Sequence, residues 1–72
     1  MATTYEVIDI IDTYVESYSI ISVTKVKALL RNTENNKTMY AVVTFFQLID
    51  LHDMEKSRRF TTCSKIKVES LY

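Results

Sequence analysis

The N-terminal segment shows a helical alternation of apolar and polar positions. At 100° per residue, the apolar side chains of residues 5–18 fall on one side of a helix and the acidic ones on the other, with Tyr5 as the exception. Thr3 and Glu6 have the spacing of a capping box, in which each side chain binds the other residue's backbone N–H. Isoleucine and valine lower helix propensity, but the segregation is clean. We therefore predict an amphipathic helix over residues 4–18.

The middle of the chain predicts a β-hairpin. Its strongest turn signal is NTENNK at residues 32–37, because asparagine tolerates the positive φ of tight turns better than other non-glycine residues. A two-residue loop at Asn35–Asn36 pairs Arg31 with Tyr40 and leaves the opposite face of both strands apolar throughout, as a core face requires. The predicted strands are residues 20–31 and 38–49.

A competing interpretation concerns residues 23–31, which also fit a helix capped by Ser22. Two helices followed by a hairpin form an arrangement similar to that of winged-helix DNA-binding proteins. The alternation on both sides of the turn favours the hairpin.

The C-terminal segment returns to a period of two. Lysines and apolar residues alternate near its end, which predicts a strand over residues 59–71 with Phe60, Thr62, Ile66 and Val68 facing inward. Residues 50–57 read as a polar connection with a possible helical turn. The predicted fold is α+β: an N-terminal amphipathic helix packed on a three-stranded antiparallel β-meander (αβββ), in two layers. Residues 1–72 form one small domain.

Composition excludes several classes of enzyme. The chain contains no glycine and no proline, so it has no dinucleotide fingerprint, no P-loop and no glycine-flanked serine elbow. Asparagines and short charged runs must therefore make every turn. With 47% hydrophobic and 25% charged residues, the rest is ordinary for a globular protein. We expect no cofactor and no catalytic activity.

The charge distribution and the cysteine content bear on where in the cell the protein is expected to act. Nine basic residues balance nine acidic ones, but residues 1–18 hold four acids and no base, so they carry −4 and the remainder +4. The single cysteine cannot form an intrachain disulfide. Because neither a signal-peptide pattern nor an apolar run of about 18 residues is present, we expect a cytoplasmic protein that does not enter a membrane.

Two surfaces are candidates for binding. The outward face of the predicted sheet combines cations with aromatic and aliphatic side chains, the ingredients of a platform for single-stranded nucleic acid or for a protein. Its members are Lys25, Lys27, Leu29, Arg31, Tyr40, Val42, Phe46, Lys65 and Lys67. The polar side of the predicted helix forms a second, acidic face. Its members are Glu6, Asp9, Asp12 and Glu16.

Other chemistry-bearing residues give weaker signals. Asp50, His52, Asp53 and Glu55 could ligate a metal, but their spacing matches neither an EF-hand nor HExxH. We expect a solvated loop there, no metal, and no metal-dependent hydrolase. Cys63 has no activating base near it in sequence, which predicts an inert thiol.

These observations favour a non-catalytic binding protein that acts through its sheet face, a sheet edge or its acidic helix face. Small cytosolic modules of this kind are typical of viral or phage proteins that inhibit a host protein, and an acidic face can imitate the charge of nucleic acid. So small a core also favours self-association into a homo-oligomer. The alternative is binding of a nucleotide or single-stranded nucleic acid by the basic, aromatic sheet face.

Overall fold

The chain folds mainly as antiparallel sheet with one short helix. The computed structural model describes residues 2–18 and 21–71. Its elements are β1 (Thr4–Tyr18), β2 (Ile21–Asn32), β3 (Thr38–Phe45), α1 (Leu48–Ser57), β4 (Arg59–Thr61) and β5 (Ile66–Ser70).

The five strands form one sheet in the order β4-β1-β2-β3-β5, curled into a half-barrel. The curl follows from the connection between β4 and β5, which lie at opposite edges of the sheet. In a flat sheet four spacings of about 4.8 Å separate these strands, or about 19 Å. The five steps from Thr61 to Ile66 reach only about 17 Å at full extension. The sheet must therefore bend to bring its two edges together.

The predicted N-terminal helix and the two-layer αβββ fold are wrong, because residues 4–18 form β1. Two β-bulges explain the helical pattern. Ile8 and Ile11 are extra residues in the register with β2, so Val7, Ile10 and Thr13 lie opposite Leu30, Ala28 and Val26. Each bulge lengthens the inward spacing from two residues to three. Two successive three-residue spacings resemble the period of a helix, whereas the many β-branched residues favour a strand.

The β2–β3 hairpin has the predicted faces but a different turn. Arg31 pairs with Thr38 and Leu29 with Tyr40, a register shifted by two residues from that of a two-residue loop. The loop spans four residues, 33–36, and Asn36 takes a φ of 59°. A register shift of two residues does not change which side chains face inward. Because β2 continues to Asn32, the alternative helix over residues 23–31 is also wrong; Ile20, the predicted first strand residue, lies outside the described residues.

The predicted C-terminal strand is divided into two. Phe60 and Ile66 are buried as expected, but β4 pairs with β1 and β5 pairs with β3. The predicted strand over residues 38–49 ends at Phe45, because Leu48 already begins α1.

The core fills the inner face of the half-barrel. Its largest fully buried side chains are Phe45, Leu30, Met54, Val26 and Val43. Helix α1 closes this face by burying Leu51 and Met54. The Phe60 ring meets Phe45 edge-on at 5.8 Å between centroids, so β4, α1 and the central strands share one core.

Helix α1 ends without the glycine that usually terminates a helix. Arg58 takes the left-handed conformation, with φ 58° and ψ 28°, and its N–H donates to the Met54 carbonyl at 2.7 Å. A residue with a Cβ pays about 1–2 kcal/mol to adopt this conformation, whereas glycine adopts it freely.

We therefore predict that Arg58→Gly raises the free energy of unfolding by about 1 kcal/mol, since the relieved strain exceeds the greater chain entropy of glycine. Arg58→Ala is the matched control, because it removes the same charge but keeps the Cβ and should therefore not raise stability. Urea unfolding of both variants measures the effect. A loss of stability in Arg58→Gly would contradict the strain argument.

Candidate functional site

The two binding surfaces predicted from the sequence lie on one face of the sheet. Cross-strand neighbours share a face, and β1 places Glu6 opposite Arg31 and Asp12 opposite Lys27. We call this surface, opposite the core and α1, the outer face. It holds Glu6, Asp9, Asp12 and Glu16 of β1, Lys25, Lys27, Leu29 and Arg31 of β2, Tyr40 and Val42 of β3, and Lys67 of β5. The predicted acidic helix face is therefore wrong: its four acids lie on strand β1, next to the basic strand β2.

Three ion pairs join acids to bases on the outer face. Glu6 accepts a hydrogen bond from Arg31 Nη2 at 2.8 Å on Oε1 and one from Arg59 Nη2 at 3.2 Å on Oε2. Lys25 Nζ lies 3.3 Å from Glu16 Oε1. The hydrogen bonds from Arg31 and Arg59 hold the pKa of the Glu6 carboxyl below its ordinary value. Much of the expected positive charge is therefore balanced by acids of the same face.

The remaining members of the predicted sheet face are spread toward β5. Lys67 Nζ lies 5.7 Å from the centroid of the exposed Phe46 ring, within cation–π range. Lys65 lies in the turn before β5, and its carbonyl accepts a hydrogen bond from Phe46 N. Tyr40 is exposed, but Leu29 and Val42 beside it are only half-exposed. With Tyr14, which lies opposite Lys25 on the same face, the structure offers three exposed aromatic side chains on different segments rather than a row of rings along one strand.

A further surface is the free side of β1, a sheet edge that the sequence analysis could not locate because it predicted a helix at these residues. Strand β4 covers only Thr4–Glu6 of β1, and Val7 N donates to the Arg58 carbonyl at 2.7 Å. From Ile8 to Tyr18 no strand of the described part of the chain pairs with this side of β1. We call it the β1 edge. Its backbone groups are available to another strand.

Large apolar side chains are exposed along the β1 edge. Their exposed fractions are 42% for Ile8, 47% for Ile11, 40% for Tyr14 and 62% for Val15. The helical interpretation assigned these four residues to a buried face, which is why sequence analysis missed them. The usable signal was the excess of β-branched residues over residues 7–15.

The bulges divide the β1 edge into two parts. Up to Asp12 the extra residues Ile8 and Ile11 interrupt the ladder, whereas from Asp12 to Tyr18 the pairing with β2 is regular. Regular pairing keeps successive N–H and C=O groups in line along the opposite side. Residues 12–18 are therefore the stretch best prepared to accept a further strand.

A cavity of about 450 Å³ lies between α1, β4 and the turn before β5. Asp50 and Asp53 line it together with Cys63, whose thiol is exposed. The Asp50 Oδ2 atom is buried without a hydrogen-bond partner among the described residues. His52 and Glu55 are exposed on α1. Within the described residues, no three potential ligands are grouped closely enough to hold a metal ion.

No protein-family model matches the sequence, and neither the curated proteins nor the solved structures yield a significant match. Over the described residues, no helix has the length and apolar character needed to cross a membrane. The case for function therefore rests on the geometry of the chain itself.

The paired Glu6 predicts a pH-dependent contribution to stability. Because its pKa in the folded protein lies below the ordinary value, the ionised carboxylate stabilises the fold above the pKa of the unfolded chain. This contribution is lost as pH falls through the folded pKa. We expect Glu6→Gln to be less stable than the native chain at pH 7, with the difference disappearing in acid.

Urea unfolding at a series of pH values measures this difference. Glu34→Gln is the control, because Glu34 lies exposed in the β2–β3 turn and has no ion pair among the described residues. Identical pH profiles for the two variants would show that the Arg59–Glu6–Arg31 cluster does not stabilise the fold.

Proposed function

We propose that the chain is a non-catalytic protein-binding module that captures an extended segment of its partner by strand addition at the β1 edge. The observation that carries this proposal is the regular stretch Asp12–Tyr18, which lacks a strand neighbour on one side among the described residues and exposes Tyr14 and Val15. Main-chain hydrogen bonds supply affinity in this mode of recognition, and alternate side chains supply specificity.

The position of the exposed apolar residues supports the proposal. Val15 lies opposite Thr24, which lies opposite Phe45 at the end of β3. Leu48 and Ile49 follow on the first turn of α1 and are among the most exposed apolar side chains of the described residues. A strand added beside Val15 would lie at the same end of the sheet as this pair. Apolar area of this kind favours association.

A captured segment is no longer free for its own partners. The activity we propose is therefore inhibition by occupancy, which needs neither a cofactor nor a catalytic residue. This agrees with the expectation of a small inhibitor drawn from chain length and composition, and the same reasoning suits a viral or phage protein acting on its host.

Nucleic-acid binding by the outer face has less support. Phosphate recognition needs cations that are free to neutralise phosphates, whereas Arg31 and Lys25 engage acids of β1. Asp9, Asp12 and Glu69 also lie on this face and would repel a phosphate backbone.

We accordingly predict no measurable binding of a labelled single-stranded oligonucleotide at low salt, where counterion release favours binding most. Fluorescence anisotropy with poly-dT and a mixed sequence measures this. Binding with a steep salt dependence would instead support the nucleic-acid alternative.

The proposed function predicts that peptides selected from a random library bind along β1. On binding, the backbone amides of residues 12–18 should gain protection from hydrogen exchange. Two N-methylated versions of a bound peptide, one methylated at its odd and one at its even positions, should differ: one should lose binding and the other should keep it. Only every second N–H of an added strand faces its neighbour.

A pair of variants locates the interaction. Tyr14→Gln combined with Val15→Gln should weaken binding about tenfold by removing exposed apolar area. Tyr40→Gln is the control, because Tyr40 is similarly exposed but lies in β3, which has a strand on each side. Equal weakening by both changes, or protection confined to other strands, would overturn the proposal.

A further inference from the structure

We infer that the segment captured at the β1 edge is positively charged and belongs to another protein rather than to a second copy of this chain. This inference rests on the proposed function and specifies its partner. It follows from the distribution of charge on β1 and on the strands beside it.

The β1 strand carries acidic charge only. Residues 1–18 contain four acids and no lysine or arginine. Glu6 is bound by Arg31 and Arg59, and Glu16 by Lys25. Asp9 and Asp12 are exposed, and within the described chain neither has an ion-pair partner within 4.0 Å. Two carboxylates without an ion pair therefore lie on the strand that borders the free edge, and Lys27 of β2 is the cation placed opposite Asp12.

Asp12 is placed to contact a side chain of an added strand. It is the first residue of the regular stretch and lies on the outer face, as does Glu16. Directly opposed residues of antiparallel strands have Cβ atoms about 4.5–5.5 Å apart, so a lysine or arginine on the added strand reaches the Asp12 carboxylate. Val15 points to the inner side with its partner Thr24. The favoured segment thus alternates basic residues, facing outward, with apolar ones.

A second copy of β1 fits this edge poorly. Antiparallel self-pairing centred on Tyr14 places Asp12 of each copy opposite Glu16 of the other, and like charges directly opposed are destabilising. Two copies bring six carboxylates together, those of Asp9, Asp12 and Glu16 from each β1, and no cation comes from either β1. The two bulges also shorten the stretch available for regular pairing.

Three labelled peptides of about seven residues, a usual strand length, test the inference. Each alternates Val or Thr with one varied residue, which is Lys, Gln or Glu. We expect the Lys peptide to bind about fivefold more tightly than the Gln peptide, and the Glu peptide to bind least, because one cross-strand charge pair with Asp12 is gained or opposed. The preference should diminish between about 50 mM and 300 mM salt as exposed charges are screened.

A double variant locates the charge. Asp9→Asn with Asp12→Asn should remove the preference for Lys over Gln while leaving binding of the Gln peptide unchanged. Glu34→Gln with Glu55→Gln changes the net charge equally at exposed positions outside β1 and should preserve the preference. A preference lost equally in both variants would show nonspecific attraction and overturn the inference.

The remaining outcomes separate this inference from the proposed function. Equal binding of the Lys and Gln peptides would refute the charge selection but support strand addition. Failure of all three peptides, together with failure of library selection, would refute both. Sedimentation of the protein alone that shows a dimer with protected amides in residues 12–18 would identify a second copy as the occupant. Growth into open-ended assemblies would identify the edge of β5 on another copy.

Discussion

The pairing of β1 with β2 is the interaction on which the other features of the molecule depend. It places Val7, Ile10 and Thr13 toward the core through two bulges and carries the acids of β1 to the same face as the bases of β2. It also provides the strand to which β4 attaches, and therefore the short connection that obliges the sheet to curl. Because bulges increase local twist and bend a strand, the same two extra residues contribute to that curvature.

The outer face owes its character to this pairing. A basic strand next to an acidic one forms cross-strand ion pairs whose net charge is small, and the Arg59–Glu6–Arg31 cluster connects three adjacent strands. Exposed ion pairs of this kind contribute modestly to stability, but they determine which side chains remain available to a ligand. Lys25, Arg31 and Arg59 are engaged, whereas Asp9 and Asp12 form no ion pair within 4.0 Å among the described residues. The binding we propose therefore uses the acidic edge of the sheet rather than its basic centre.

The sequence allowed part of this to be predicted. Alternation in β2 and β3 gave the correct faces, and Asn36 adopts the positive φ that asparagine was expected to supply. The hairpin register could not be derived, because two- and four-residue loops leave the same side chains inward. The helix over residues 4–18 was wrong because a strand bulged every third residue has nearly the apolar spacing of a helix, and that spacing was weighted above the local excess of β-branched residues. The acidic residues of the candidate site were identified, but their neighbours and the free edge required the topology.

A long free edge with exposed isoleucine, tyrosine and valine would ordinarily promote aggregation. The β1 edge combines two features that oppose indiscriminate pairing: bulges that interrupt its first half and carboxylates, those of Asp9 and Asp12, that form no ion pair within 4.0 Å among the described residues. These features act differently on different strands. A copy of β1 meets like charge, and a neutral strand meets no charge compensation. In the proposed mode of binding, a basic extended segment gains the same backbone hydrogen bonds and also pairs with Asp12, so the features that oppose self-pairing would favour a basic partner.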